Sequence, residues 1–265
     1  MKLGVIGCGK MGRALVEGIL KAGIVSPAET TVFDTYAPAA EAMAQDLGVV
    51  LAHSNSEVVT QSDTILLCVK PQGFLEMLEE IGDNEGKLLI SIAAGVQIGS
   101  IESATKGRHR IVRVMPNTPS LIGKGAAGFA LGSSATEDDA NLTRSLLGAV
   151  GYVCEVTEEQ LDAVTALSGS GPAYVFLLIE ALVAGGIEQG LTADVAGDLA
   201  AHTVAGAAEL LLSSEESPTT LRENVTSPNG TTFAALESFR GDQFEEIVRR
   251  AVRAAADRSR ELGRS

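Results

Sequence analysis

Short apolar runs alternate with amphipathic stretches along the first 155 residues. KLGVI, TTVF, GVVLA, TILLCV, KLLISI, RIVRVM, AGFAL and GYVCEV read as strands. Between them, apolar spacing predicts helices over 12–22, 37–47, 73–81 and 138–147. Strand–helix alternation of this kind predicts a mostly parallel sheet with helices on both faces, an α/β domain. After Thr157 the strand signals vanish. TEEQ at 157–160 reads as a capping box, and alanine- and leucine-rich stretches predict helices over 171–189, 193–212, 219–225, 231–238 and 243–262. The expected division is an α/β domain over 1–157 and an all-helical domain over 158–265. The helix from Pro172 is apolar nearly all round, which a thin bundle cannot bury alone. A homodimer, or a higher assembly of dimers, is therefore expected.

Composition narrows the classes of partner. The 265 residues carry 34 acidic against 20 basic side chains, a net charge of −14, and the basic residues form no aromatic-laced patch, which argues against nucleic acid. An acidic chain repels anions at long range, so an anion site must rely on local donors such as helix N-termini. Cys8, Cys68 and Cys154 show no CxxC or Cys/His spacing, so neither a disulfide framework nor a metal site is expected, and the simpler setting is reducing and cytoplasmic. No export signal is read at the amino terminus. The longest apolar run, 173–187, is interrupted by Glu180 and falls short of the ~20 residues that span a bilayer, so no membrane partner is expected. His53, His109 and His202 share no spacing suited to metal or acid–base work.

The clearest chemistry lies at the start. In GCGKMG, glycines stand at 7, 9 and 12, directly after the strand KLGVI and at the start of a helix. That order suits a dinucleotide: one glycine for the tight turn, one for close approach of backbone to pyrophosphate, one for helix-on-strand packing, with free helix amides for the phosphates. Asp34 closes the second strand, where a carboxylate accepts from the adenosine ribose and repels a 2′-phosphate. Two unit charges ~4 Å apart interact by ~4 kcal/mol at an effective dielectric near 20, so this residue favours NADH. Lys10 or Arg13 can offset the repulsion, and the alternative for Asp34 is to serve as the N-cap of the next helix.

Three further stretches are not generic packing: MPNTP at 115–119, SGSGPA at 168–173 and VTSPNGTT at 225–232. With GxGxMG followed by Ala14 and Leu15, VKPQ at 69–72 and AAG at 93–95, they make the whole chain resemble the pyrroline-5-carboxylate reductase family. The resemblance implies a Rossmann-type domain joined to a C-terminal all-helical dimerisation domain, reducing 1-pyrroline-5-carboxylate to L-proline with NADPH or NADH. By the same likeness, Gly7, Cys8, Gly9, Lys10, Met11 and Gly12 bind the pyrophosphate and Asn55 the adenosine side. Val69, Lys70 and Pro71, with Ala93, Ala94 and Gly95, lie along the cofactor near the nicotinamide end, and Asn117 lies at the junction between domains. Gly230, Thr231 and Thr232 hold the substrate, with Thr232 near the ring nitrogen and Glu215 close by. The family usually has two glycines where this chain has Asn229 and Gly230, and asparagine tolerates the left-handed backbone better than most residues.

The residues suit that chemistry. A protonated imine accepts hydride readily, so no strong acid is required, and no lysine occurs after 157. The amides of 230–232 at a helix start can hold a carboxylate without a cationic side chain. The plainer reading of SGSGPA is a serine-capped helix start with Pro172 in its first turn, and of NGTT a turn with an N-cap. A β-hydroxyacid dehydrogenase shares GxGxMG, but such enzymes resemble one another in using a lysine of the helical domain. A non-catalytic dinucleotide-binding sensor or vitamin B6 carrier of the same fold is the rival from another class.

Overall fold

The structure is a computed structural model and describes residues 1–81 and 84–263. Eight strands form one sheet: β1 (Leu3–Ile6), β2 (Thr30–Phe33), β3 (Val50–Leu51), β4 (Thr64–Leu67), β5 (Leu88–Ser91), β6 (Arg110–Met115), β7 (Gly125–Leu131) and β8 (Gly151–Glu155). Their spatial order is β3-β2-β1-β4-β5-β6-β7-β8, and every neighbouring pair is parallel except β6 with β7. All four residues of β1, β4 and β5 are buried, as strands covered on both faces require. The chain reverses direction across the sheet between β1 and β4, the place where open α/β sheets bind ligands beyond their carboxyl ends.

Among the described residues, the helices between the strands are α1 (Lys10–Lys21), α2 (Ala37–Leu47), α3 (Asn55–Gln61), α4 (Phe74–Glu80), α5 (Ile98–Ala104) and α6 (Glu137–Gly148). On α1 the buried stripe is Gly12, Ala14, Leu15, Val16 and Ile19, and full burial of each larger side chain contributes ~1.5–3 kcal/mol. Helices α3 and α5 fall outside the ranges that periodicity predicts; each carries only two large apolar side chains, Val58 and Val59 or Ile98 and Ile101, whereas the equally short α4 has four. A cap did mark α3, since Ser54 Oγ accepts from Glu57 N at 3.1 Å.

Thr136 and Asp139 form a capping box at the start of α6, and Arg110 from β6 binds the same carboxylate at 2.9 Å. Burial works to raise the Asp139 pKa, but the hydrogen bonds from Arg110 and Thr136 outweigh it and hold the group below the usual carboxylate range. A folded value below the unfolded one means the stabilisation is full above the unfolded pKa of ~3.9 and is lost as pH falls through the folded value. Asp139→Asn is expected to cost ~1–3 kcal/mol in urea unfolding at neutral pH, with the gap to wild type closing below about pH 4.

After β8, Gln160 Oε1 accepts from Thr157 N at 2.9 Å, so the expected box is present, although it opens a 3-10 turn, Glu158–Gln160, before α7 (Leu161–Val164). A π turn, Thr165–Gly169, leads into α8 (Gly171–Glu188). Ser170, directly before α8, is right-handed helical at φ −85° and ψ −22°, and Ser168 Oγ donates back to Val164 O at 3.0 Å, so the serine-cap reading of SGSGPA gives way to a widened helical turn. Then follow α9 (Ala193–Ser213), α10 (Pro218–Asn224), α11 (Thr231–Gly241) and α12 (Phe244–Leu262).

The chain forms two compact units, Gly171–Arg253 and the remainder. Residues 158–170, expected with the helical domain, thus pack with the sheet, where Leu161 is buried in the same apolar cluster as Ile65 and Ile111. The last turns of α12 join the same unit: Ser259 Oγ donates to Asp162 Oδ1 at 2.6 Å. Within the helical unit, Phe176, Leu177, Leu199, Leu210 and Leu212 are exposed on α8 and α9. The segments Glu158–Glu188 and Ala193–Ser213 are long and apolar enough to cross a membrane by length and composition, with mean hydropathy 1.6 and 1.3. The run 173–187, which Glu180 interrupts, is shorter than the helical segment that contains it.

Candidate active site

The glycine turn sits at the carboxyl end of β1. Gly7 has φ +100°, and its amide donates to Phe33 O of β2 at 2.9 Å. A Cβ on Gly12 would lie 2.2 Å from Gly7 O, so only glycine lets α1 start this close to the strand. Around Gly9, by contrast, a Cβ would meet nothing within 4 Å, and its backbone is extended. The protein itself does not need that space; a pyrophosphate lying on the first turn of α1 does.

A cleft of about 360 Å³ opens here, lined by Gly7, Gly9, Asp34, Asn55, Val69 and Lys70 among others. Six of the residues expected to bind dinucleotide are thereby brought together from the ends of β1, β2 and β4 and the start of α3. Asn55 is buried; its Nδ2 donates to Glu80 Oε2 at 2.5 Å, while its Oδ1 has no partner. A buried amide oxygen without a donor is costly, and a bound adenosine can supply one. The glycine cradle, the open ground at Gly9 and this orphaned acceptor all fit a dinucleotide.

Asp34 is not the N-cap of α2, a position held by Tyr36. Its Oδ2 accepts from Cys8 N at 2.7 Å and its Oδ1 from Tyr36 N at 2.8 Å, which fixes the carboxylate against the glycine turn. Arg13 is spent on Glu17 at 2.6 Å and Asp46 at 2.8 Å, so it offers no offset to Asp34. Lys10 is exposed and Met11 half-buried on the first turn of α1, neither lining the cleft.

Other expected residues lie elsewhere. Pro71 opens the 3-10 turn after β4 without lining the cleft. Ala93 is buried, Ala94 exposed, and Gly95 at φ +77° faces Leu262 O at the end of α12, 3.5 Å from where a Cβ would be. Asn117 is buried with its amide used on backbone: Nδ2 donates to Ser168 O at 3.0 Å and Oδ1 accepts from Ala126 N at 2.8 Å. It clamps the chain after β6.

Sequence reasoning missed Cys68, Thr35, Gly73, Glu76, Met77 and Glu80, which also line the cleft. Cys8, expected beside the cofactor, is buried beneath the turn. Burial, then the Asp34 charge, pushes its thiol up to about 12; burial and Cys8 push the Cys68 thiol up as well. Both thiols stay protonated at neutral pH and offer no nucleophile. His109 is pushed down by burial and by the Arg108 and Lys87 charges. It is buried with Nδ1 accepting from Lys87 N at 3.3 Å, a packing role.

In the helical unit, the 225–232 stretch joins α10 to α11. Asn229 takes φ +57°, the left-handed conformation in which asparagine can replace glycine. Gly230 is the N-cap of α11, extended at φ −79° and ψ 178°, so the amides that follow belong to the helix's open first turn. Thr232, half-buried, has no side-chain hydrogen-bond partner among the described residues. Glu215 is exposed in the loop between α9 and α10.

Known proteins share both halves. The family model described as pyrroline-5-carboxylate reductase dimerisation matches residues 158–262, and the model described as NADP oxidoreductase, coenzyme F420-dependent, matches residues 2–95. A pyrroline-5-carboxylate reductase of Methanosarcina acetivorans is 40% identical, covering 99% of this chain and 98% of its own. The chain belongs to the pyrroline-5-carboxylate reductase family. A reductase of this family from Coxiella burnetii has a solved structure that matches with TM-score 0.95 at 36% identity, covering 100% of this chain and 99% of that one. A second, from Plasmodium falciparum with NADP bound, matches with TM-score 0.87 at 32% identity, covering 99% and 98%. Membership in the reductase family makes the chain an NAD(P)H-dependent oxidoreductase with a dimerisation domain.

Proposed function

We propose that the chain reduces 1-pyrroline-5-carboxylate to L-proline with NAD(P)H, the last step of proline biosynthesis. The cleft at the β1 and β4 ends holds the dinucleotide, and the start of α11 holds the substrate carboxylate. The observation that carries the substrate half is the turn at Asn229 and Gly230, which opens an 11-residue helix whose first amides are free of intrahelical partners. Reduced nicotinamide, when bound, supplies the hydride. The chain contributes placement. Amides of Thr231 and Thr232 fix the carboxylate, and the Thr232 hydroxyl accepts from the iminium N–H and then donates to the product amine. Glu215 lies near the substrate, while Pro71, Ala93, Ala94 and Gly95 border the nicotinamide end and Asn117 supports them.

The domain assignment follows function: 1–157 for the dinucleotide, 158–265 for substrate and self-association. Exposed apolar side chains on α8 and α9 are covered by a second copy in a homodimer, the unit of a higher assembly of dimers, and not by lipid. The setting is cytoplasmic. Sedimentation in detergent-free buffer is expected to show a dimer or a multiple of it; a stable monomer, or a need for detergent, would contradict this.

Spectrophotometry of NAD(P)H with pyrroline-5-carboxylate tests the reaction. Rapid oxidation is expected, with none of the reverse signal from oxidised cofactor and 3-hydroxyisobutyrate. Nucleotide binding without turnover would turn the reading to a sensor.

A further inference from the structure

The adenosine end of the cleft is lined by hydrogen-bond acceptors. Asp34 follows β2, and Glu76 and Glu80 stand one turn apart on α4, against Lys70 as the one cation among the described lining residues. Asp34 is held in place by the Cys8 and Tyr36 amides. Glu80 is held by Asn55 Nδ2, which leaves Asn55 Oδ1 buried and without a donor. Arg13, the nearest arginine along the chain, is tied to Glu17 and Asp46.

Such a surface asks its ligand for donors. The ribose hydroxyls and the exocyclic amine of an adenosine provide them, whereas a 2′-phosphate brings only acceptors and close to two negative charges. We propose that Glu76 and Glu80, acting with Asp34, make this end of the cleft select NADH over NADPH. The proposal rests on the dinucleotide reading of the cleft given above and extends it to two carboxylates of α4. Glu76 and Glu80 are exposed, so their effect is screened by salt, while that of the half-buried Asp34 is screened less.

Dissociation constants for NADH and NADPH, measured on the full chain by calorimetry or nicotinamide fluorescence without substrate, test it. Wild type is expected to bind NADH at least tenfold more tightly. Asp34→Ser should shrink that ratio at least tenfold, and Glu76→Gln with Glu80→Gln at least threefold, the latter shrinkage fading as salt is raised. Thermal unfolding of each variant confirms that the cleft is intact. Equal or tighter binding of NADPH by wild type overturns the proposal. A ratio that responds to Asp34→Ser but not to the paired glutamines overturns the part assigned to α4. Binding of neither dinucleotide overturns the assignment of the cleft itself, an outcome distinct from lost preference.

Discussion

Gly9→Ala is expected to leave the fold unchanged and to weaken dinucleotide binding about 100-fold, close to 2.7 kcal/mol. The separation of the two effects is the point. Alanine at 9 meets nothing within 4 Å and adopts the extended backbone without strain, so thermal unfolding should move by no more than about 2 °C. The added methyl occupies the ground on which a pyrophosphate would rest. Gly12→Ala does not separate them: its Cβ would fall 2.2 Å from Gly7 O, a backbone atom, so stability and binding fail together. Calorimetric titration beside a melting curve reads both. Normal binding by Gly9→Ala would move the pyrophosphate off this turn.

Thr232→Val is expected to fold as wild type and to lose between tenfold and a hundredfold in kcat/KM. Valine keeps the shape of threonine, and the hydroxyl has no hydrogen-bond partner among the described residues whose loss would destabilise the helix. A hydrogen bond with a charged partner contributes ~1.5–3 kcal/mol, which sets the range. If the bond forms to the iminium as hydride arrives, kcat falls with kcat/KM; if it serves binding alone, KM rises at constant kcat. Thr231→Val, one position earlier, is the control that keeps the backbone amides. Wild-type kinetics in Thr232→Val would place the imine contact on another residue.

Much of this was legible because each signal was local. Apolar runs at β1, β4 and β5 mark strands buried on both faces, and GCGKMG marks the turn that follows the first of them. The left-handed backbone at Asn229 was readable from the residue type alone. Helices α3 and α5 were not, because two large apolar side chains each make no periodic stripe, while the four of the equally short α4 do. Glu76 and Glu80 escaped notice for a different reason: nothing in FLEMLEE says that its acidic side borders the β1–β4 gap until the sheet order is known. The cut near 157 follows the end of the strands, whereas Leu161 and Ser259 show that packing carries the first unit through Ser170 and takes back the end of α12. The place of Asp34 at the end of β2 was readable from the sequence, but its bond to Cys8 depends on the distance between two loops.

The most direct test of the account is a crystal structure of the chain with L-proline and dinucleotide bound. The account predicts the proline carboxylate ~2.9 Å from the amides of Thr231 and Thr232, the ring nitrogen beside Thr232 Oγ1, and the pyrophosphate over Gly9. Proline seated away from the start of α11, or a dinucleotide outside the β1–β4 cleft, would contradict it.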